Sequence, residues 1–299
     1  MGDKTIRQDS QLFGVVLIML GAILFGLTPT FAKFAYADGA SALMVMLGRS
    51  VVGLVVLVCF IYLTGRSTGY SVANMRRAFV AGAAHAFATF GILASILYID
   101  ISLASIILFL YPFPIAVVAH FRGETRLEPA TIGLMVFATV GLALVLGVNW
   151  DSTDPRGIAI AVMGAVAFTV MVISMADLTK IVGAPRSNLL MTIWAVIIFG
   201  LISIGGPVTG LTDAPIPPAT IVGWVWVFGV GVMFAFGYLC FFVSASIIGT
   251  ARASLLSISE PVMIILFAVV LVGESLSLIQ WVGVVIVFAS LILTEVTRR

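Results

Sequence analysis

Long apolar runs, broken at intervals by short polar clusters, cover nearly the whole chain. Ten such runs fall at about Leu12–Tyr36, Ser41–Leu63, Ala78–Tyr98, Leu103–Phe121, Pro129–Val148, Gly157–Leu178, Leu189–Gly205, Thr220–Ala245, Ala253–Val272 and Leu278–Val296. A helix needs about 20 apolar residues to cross a hydrocarbon core, and these runs supply them. The connections between them are short, so no soluble domain fits anywhere. Backbone groups in lipid must pair within their own segment, which leaves helices or closed barrels. Barrel strands would show alternation, and none is present. The pattern predicts an all-α integral membrane protein of ten transmembrane helices.

Composition strengthens this reading. Hydrophobic residues make up 62% of the 299 and charged residues 9%, against about 45–50% and 25% in soluble domains. Lys4 and Arg7 precede the first run, and Ala35-Tyr36-Ala37 superficially resembles a signal-peptidase site. That run is far longer than the roughly 7–15 residues of a signal core, so it reads as the first span. Cys59 and Cys240 sit in separate runs without CxxC spacing. They indicate neither a disulfide framework nor a metal site.

The charges orient the chain. Counted on alternate connections, one side collects Lys4, Arg7, Arg66, Arg76, Arg77, Arg122, Arg126, Lys180, Arg186, Arg252, Arg298 and Arg299, and the other Arg156 with Lys33 near a helix end. By the positive-inside rule both termini are expected in the cytoplasm. The opposite side holds Asp38, Asp100, Asp151, Asp154, Asp213 and Glu274. The net charge of +2 is therefore a topology signal, with no basic tract to suggest nucleic acid.

The chain also repeats itself. FLYPFPIAVVAHFRGETRLEPATIGLMVFATVGLALV (109–145) aligns with SISEPVMIILFAVVLVGESLSLIQWVGVVIVFASLIL (257–293). Pro112 meets Pro261, Gly123-Glu124 meets Gly273-Glu274, and Gly133 meets Gly283, at an offset of half the chain. More weakly, Gly21-Ala22 before Phe25 matches Gly164-Ala165 before Phe168. Two halves follow, 1–149 and 150–299, each with five spans. An odd number of crossings inserts the second half upside down. The charges agree, with Asp100 replaced by Arg252 before the kinked span, and Arg122 and Arg126 by Glu274 after it. Inverted five-helix repeats are common among secondary transporters, whose sites lie where the repeats meet near the midplane.

In these residues the chain resembles the drug/metabolite transporter superfamily, and within it the EamA-type exporters. The resemblance is strongest over 250–294, good over 102–145 and weak in the first and sixth spans. It implies export of small metabolites across an inner membrane by alternating access, through a cavity lined by the first, third, fourth, sixth, eighth and ninth spans. The nearest group is the bacterial aromatic amino-acid exporters, although Phe25-Gly26 stands where their first span carries Trp-Gly.

Polar residues within spans mark candidate sites, since a charge at mid-bilayer costs about 2.5–3.5 kcal/mol and faces the bundle interior or water. Ser254, Ser257 and Glu260, spaced by three, share a face that Ile264 continues. Pro261 frees a carbonyl about a turn earlier, so this segment is expected to present acceptors to a midplane site. The other reading places Glu260 near the cytoplasmic end, paired with Arg252 or water. In the fourth span, Pro112 and Pro114 are expected to break the helix, with Phe109 and Tyr111 flanking the break. His85 and Thr89 share a face of the third span. Phe168 with Thr169 in the sixth span and Tyr238 in the eighth complete an aromatic and hydroxyl set. Arg49 reads as a salt bridge or helix anchor beside Asp38 and Lys33, or as a contact for a substrate carboxylate. Glu124 and Glu274 are expected to cap or anchor the following helices, and His120 to be interfacial. Gly26, Gly82, Gly91 and Gly237 read as close helix packing. The substrate-binding candidates are thus His85, Thr89, Phe109, Tyr111, Phe168, Tyr238, Ser257 and Glu260.

No Walker P-loop occurs, so ATP hydrolysis by that route is not expected. An intramembrane enzyme would need converging His, Asp, Cys or Ser groups, and neither HExxH nor GxSxG is present. The leading expectation is a secondary transporter exporting small metabolites, amino acids and aromatic ones among them. A drug or nucleotide-sugar/nucleoside carrier is the alternative, disfavoured for highly anionic cargo by the scarcity of basic residues in the spans. The expected partners are a small-molecule substrate and the lipid bilayer, with the chain a monomer or homodimer that uses no nucleic acid, metal or cofactor.

Overall fold

Capping hydroxyls, prolines and glycines punctuate the chain where its helices begin and end. The computed structural model describes residues 2–64, 71–95, 98–99, 101–126, 128–147, 154–210, 212–273 and 275–296. Arg66, Asp100, Asp151, Glu274, Arg298 and Arg299 lie outside them, and with them part of the charge-reversal argument. Among the described residues there are helices and no strands. In order they are α1 (Gly2–Ala37), α2 (Ala42–Leu63), α3 (Val72–Ser95), α4 (Ile101–Leu108), α5 (Pro112–Phe121), α6 (Pro129–Leu146), α7 (Pro155–Val182), α8 (Ala184–Thr209), α9 (Ile221–Ile248), α10 (Thr250–Leu256), α11 (Ser259–Phe267, continued by a π turn Ala268–Val272) and α12 (Leu278–Val296). Ser41 caps α2 by accepting from Met44 N at 3.2 Å. Asp154 caps α7 by accepting from Arg156 N at 2.8 Å, with Pro155 preset for the first turn.

Among the described residues, eight stretches of helix are long and apolar enough to cross a membrane. Of the ten expected spans, the third (about Ala78–Tyr98) runs partly over residues outside those described and is not in this set. The last, α12, is apolar over Leu278–Thr294. Large apolar side chains face outward, Val55 56%, Ile204 74% and Val285 65% exposed among them. A soluble monomer does not expose apolar surface on this scale.

Two connections are tighter than the hydropathy pattern implies. The sixth and seventh spans were expected to end and begin about ten residues apart, yet α7 and α8 meet at Gly183 (φ 82°). Likewise α9 and α10 meet at Gly249 (φ 87°). Both residues occupy positive-φ backbone that a β-carbon disfavours. The polar residues read as loop, among them Thr179 and Ser187, are helical, and their hydroxyls bond each other at 2.7 Å across the turn.

Helix pairing treats the two halves alike. α1 packs most extensively on α9 and α3 on α7, while α6 pairs with α12 and α2 with α8. Exchanging α1, α2, α3 and α6 with α7, α8, α9 and α12 in order maps each of these pairs onto another or onto itself. Small residues allow the approach. A β-carbon at Gly91 of α3 would lie 3.0 Å from Gly164 Cα of α7, and one at Gly283 of α12 would lie 2.6 Å from Gly141 O of α6. Gly26, Gly82 and Gly237 also face neighbouring helices closely, as expected of membrane packing. Gly133, which the repeat aligns with Gly283, instead faces open space.

The two ends of the bundle differ. At the acidic end the α1–α2 turn is tied to the segment before α9. Asp38 accepts from Thr220 N and Oγ1 at 2.8 and 2.9 Å, and Ser41 Oγ accepts from Ile216 N at 2.9 Å. At the basic end Arg122 donates to both carboxylate oxygens of Asp177 (2.8 and 2.9 Å), and Lys180 reaches Glu124 at 2.8 Å. This clasp fastens the end of α5 to the end of α7. Glu124 therefore serves α7 and does not cap α6 as expected. His120 is exposed at the same end, as an interfacial residue would be.

Candidate functional site

The chain breaks between α4 and α5 and between α10 and α11, where the fourth and ninth spans were expected, and both breaks follow from proline. A proline withholds the N–H that would bind the carbonyl four residues earlier. Here the preceding residue supplies it through a tighter turn. Leu108 O accepts from Tyr111 N at 3.0 Å, Leu110 O from Phe113 N at 3.0 Å, and Ser257 O from Glu260 N at 2.9 Å. The carbonyls left by Pro112, Pro114 and Pro261 are thereby satisfied at membrane depth. Ser257, whose carbonyl Pro261 leaves, is not on the wall of the cavity described next, contrary to the expectation for that segment. The two breaks touch, because the hydroxyls of Tyr111 and Ser257 are hydrogen-bonded to each other.

One cavity of about 260 Å³ opens beside these breaks. Its walls include His85, Thr89, Phe109, Tyr111, Phe168, Tyr238 and Glu260, all expected from the sequence. Phe25, Met46, Arg49, Phe234 and Phe241 join them. Phe25, Phe168 and Phe234 lie midway along α1, α7 and α9, whereas Met46 and Arg49 lie in the first turns of α2 at the acidic end. The cavity thus runs from mid-depth toward the acidic end. Toward the basic end lie the Tyr111–Ser257 hydrogen bond and the Arg122–Asp177–Lys180–Glu124 clasp.

Aromatic rings form most of the wall. Tyr111 meets Phe168 edge-on at 4.8 Å between centroids, and Tyr238 meets Phe234 at 4.7 Å and Phe25 at 5.0 Å. Such edge-to-face pairs add about 0.5–1.5 kcal/mol each beyond the area they bury. Polar groups are few. His85 is 3% exposed, with Nδ1 3.5 Å from the Tyr238 hydroxyl and Nε2 buried without a hydrogen-bond partner. Thr89 gives its proton to His85 O at 2.9 Å, so it offers the cavity only lone pairs.

Ser257 departs from expectation. It is buried behind Tyr111, is absent from the cavity wall, and its hydroxyl also satisfies Ser254 O at 2.7 Å. Ser254 bonds Ala251 O at 3.0 Å in the same manner. Short hydroxyl side chains return to their own helix this way, and the break at Ser257 shifts the face, so of this trio only Glu260 reaches the cavity. Its depth also differs from the sequence reading. α10 begins at Thr250, which places Glu260 about 15 Å along the span at 1.5 Å per residue. That is half of a hydrocarbon core of about 30 Å. Arg252 pairs instead with Gln11.

Arg49 is the main addition. It was expected either to form a salt bridge or helix anchor beside Asp38 and Lys33 or to meet a substrate carboxylate, and Asp38 is committed to Thr220. The guanidinium turns into the cavity, its Cζ 4.2 Å from the Phe234 ring centroid. Its Nε is buried without a hydrogen-bond partner. The second span thus joins the six expected to line the chamber.

Two matching halves around one chamber are the plan of a secondary transporter. A family model described as the EamA-like transporter family matches residues 12–147 and again 155–296. The chain belongs to that family of membrane transporters for small substrates, within the drug/metabolite transporter superfamily. Among curated proteins none matches. A solved crystal structure is similar over 95% of this chain and 96% of its own, with a TM-score of 0.79 at 15% identity. At that identity it speaks for the fold alone.

Proposed function

We propose that the protein is a secondary transporter that exports small metabolites, amino acids and above all aromatic ones, across an inner membrane. In this reading ten transmembrane helices form two inverted repeats, 1–149 and 150–299, with both termini in the cytoplasm, and the halves rock around the chamber. The observation that carries it is the chamber itself, extending toward the acidic end with a clasp at the other, and with Tyr111 and Glu260 of the two proline breaks on its wall. Its volume of about 260 Å³ falls just below the roughly 300–1,000 Å³ of small-molecule pockets. That favours an amino acid over a nucleotide sugar. The aromatic wall suits a flat apolar body, and Glu260 suits an ammonium group.

Counterflow in proteoliposomes tests this. Vesicles loaded with unlabelled phenylalanine or threonine are expected to accumulate the labelled compound, while protein-free vesicles do not. A pH gradient applied in parallel reports proton coupling. Absence of uptake for every amino acid, with uptake of a drug or nucleoside, would move the cargo to the other branch of the superfamily.

A further inference from the structure

Two groups on the chamber wall lack what buried polar groups ordinarily have. Arg49 has a buried, unpartnered Nε and forms no ion pair among the described residues. His85 presents a buried, unpartnered Nε2. The two lie on different helices, α2 and α3, yet both flank Phe234, Arg49 Cζ at 4.2 Å and the His85 ring at 5.6 Å from its centroid. Where the Tyr238 hydroxyl donates to Nδ1, the imidazole carries its proton on Nε2, which makes a second donor beside the guanidinium.

A cation taken from water without a counter-ion is costly, and the cost is larger at membrane depth. The nearest acid along the chain, Asp38, is held by Thr220. The cation–π contact with Phe234 offsets part of that cost but leaves the in-plane donors of the guanidinium unused. Those donors form a fork that fits a carboxylate through two parallel hydrogen bonds. One guanidinium and one neutral N–H balance a single negative charge. Glu260 on the same chamber wall disfavours a second one.

We propose that Arg49 and His85 form a carboxylate receptor in the chamber, which takes the carboxylate of a cargo with an aromatic or bulky apolar body. This rests on reading the cavity as the cargo chamber, and it adds a rule of selection. Acids enter, while the matching esters and amines do not. Arg49 supplies the charge, His85 the second donor, and Phe234 holds the guanidinium flat between them.

The test is equilibrium binding to the purified full chain in detergent at neutral pH, with phenylalanine, hydrocinnamate, phenylalanine methyl ester and phenethylamine as probes. Phenylalanine and hydrocinnamate are expected to bind at least ten-fold more tightly than ester or amine. Arg49→Gln is expected to weaken both acids roughly ten- to hundred-fold, the range for a hydrogen bond to a charged group, and to leave the ester nearly unchanged. Arg49→Lys keeps the charge without the fork and should restore part of the loss. His85→Ala, an independent variant should Arg49→Gln fail to fold, is expected to show the same selective loss for acids. Equal affinity for acid and ester, acid binding insensitive to Arg49→Gln or His85→Ala, or no binding of any probe would overturn the receptor. Failure of amino-acid counterflow alongside Arg49-dependent hydrocinnamate binding would remove the amino-acid cargo and keep the receptor. Amino-acid transport inhibited equally by the ester would do the reverse.

Discussion

Tyr111→Ala is expected to reduce counterflow by about a hundred-fold or more, while Tyr111→Phe stays within several-fold of the unaltered protein. Truncating a buried aromatic ring to alanine costs about 3–5 kcal/mol, and Tyr111 is 3% exposed. Its ring packs on Phe168 of α7, and its hydroxyl joins the break before α5 to the break before α11. The alanine variant loses both the wall and the link between the halves. The phenylalanine variant loses only one neutral hydrogen bond, worth about 1 kcal/mol net. Transport rates measured beside melting temperatures separate the two effects. A Tyr111→Ala protein that transports at the unaltered rate would mean that this wall is not on the cargo path.

Asp177→Arg is expected to open the basic end. Asp177 bonds Arg122 and lies 3.7 Å from Lys180, which also holds Glu124. The partners are 42% and 43% exposed, so each contact is worth only about 0.2–1 kcal/mol. Reversing the shared charge removes two contacts and sets a third cation among the first two. A shift of about 1.4 kcal/mol changes a two-state population ten-fold. Ala119→Cys, in a background with Cys59 replaced, reports on it because Ala119 is 4% exposed beneath the clasp. Its alkylation should be slow with the clasp intact, about ten-fold faster with Asp177→Arg, and slow again when Arg122→Asp is added. High salt should speed the reaction with the clasp intact, because exposed pairs are screened. Equal rates in all three proteins would show that the clasp does not hold this end shut.

Much of this architecture was legible because a bilayer restricts the choices. Runs of apolar residues had to be helices, and the prolines at 112, 114 and 261 had to disturb them. The repeat of Pro112 with Pro261 locates both breaks in the sequence itself. Less legible were the helix ends, since Lys180 and Arg186 look like loop residues yet belong to helices that turn sharply at Gly183.

The chamber shows where residue type stops being informative. His85, Tyr111, Tyr238 and Glu260 were readable, since a polar or hydroxyl-bearing group deep in a span must face inward. The same rule applied to Arg49, but Asp38 close by in sequence suggested an anchor. About 10 Å of helix separates Arg49 from the start of α2, and Asp38 had a nearer partner in Thr220, which the sequence places 182 residues away. Ser257 failed for another reason. Spacing by three assumes one continuous helix, and the break at that residue ends the face. Glu124 was assigned to the helix that follows it, because its true partner on α7 is distant in sequence.

The most direct test of the chamber as the cargo path uses Thr89→Cys, on its wall near the acidic end, in a background with Cys59 replaced. A membrane-impermeant thiol reagent applied from the acidic face is expected to modify this residue and block counterflow, and saturating substrate should slow the modification. Full modification with undiminished counterflow, or a labelling rate indifferent to substrate, would contradict the account.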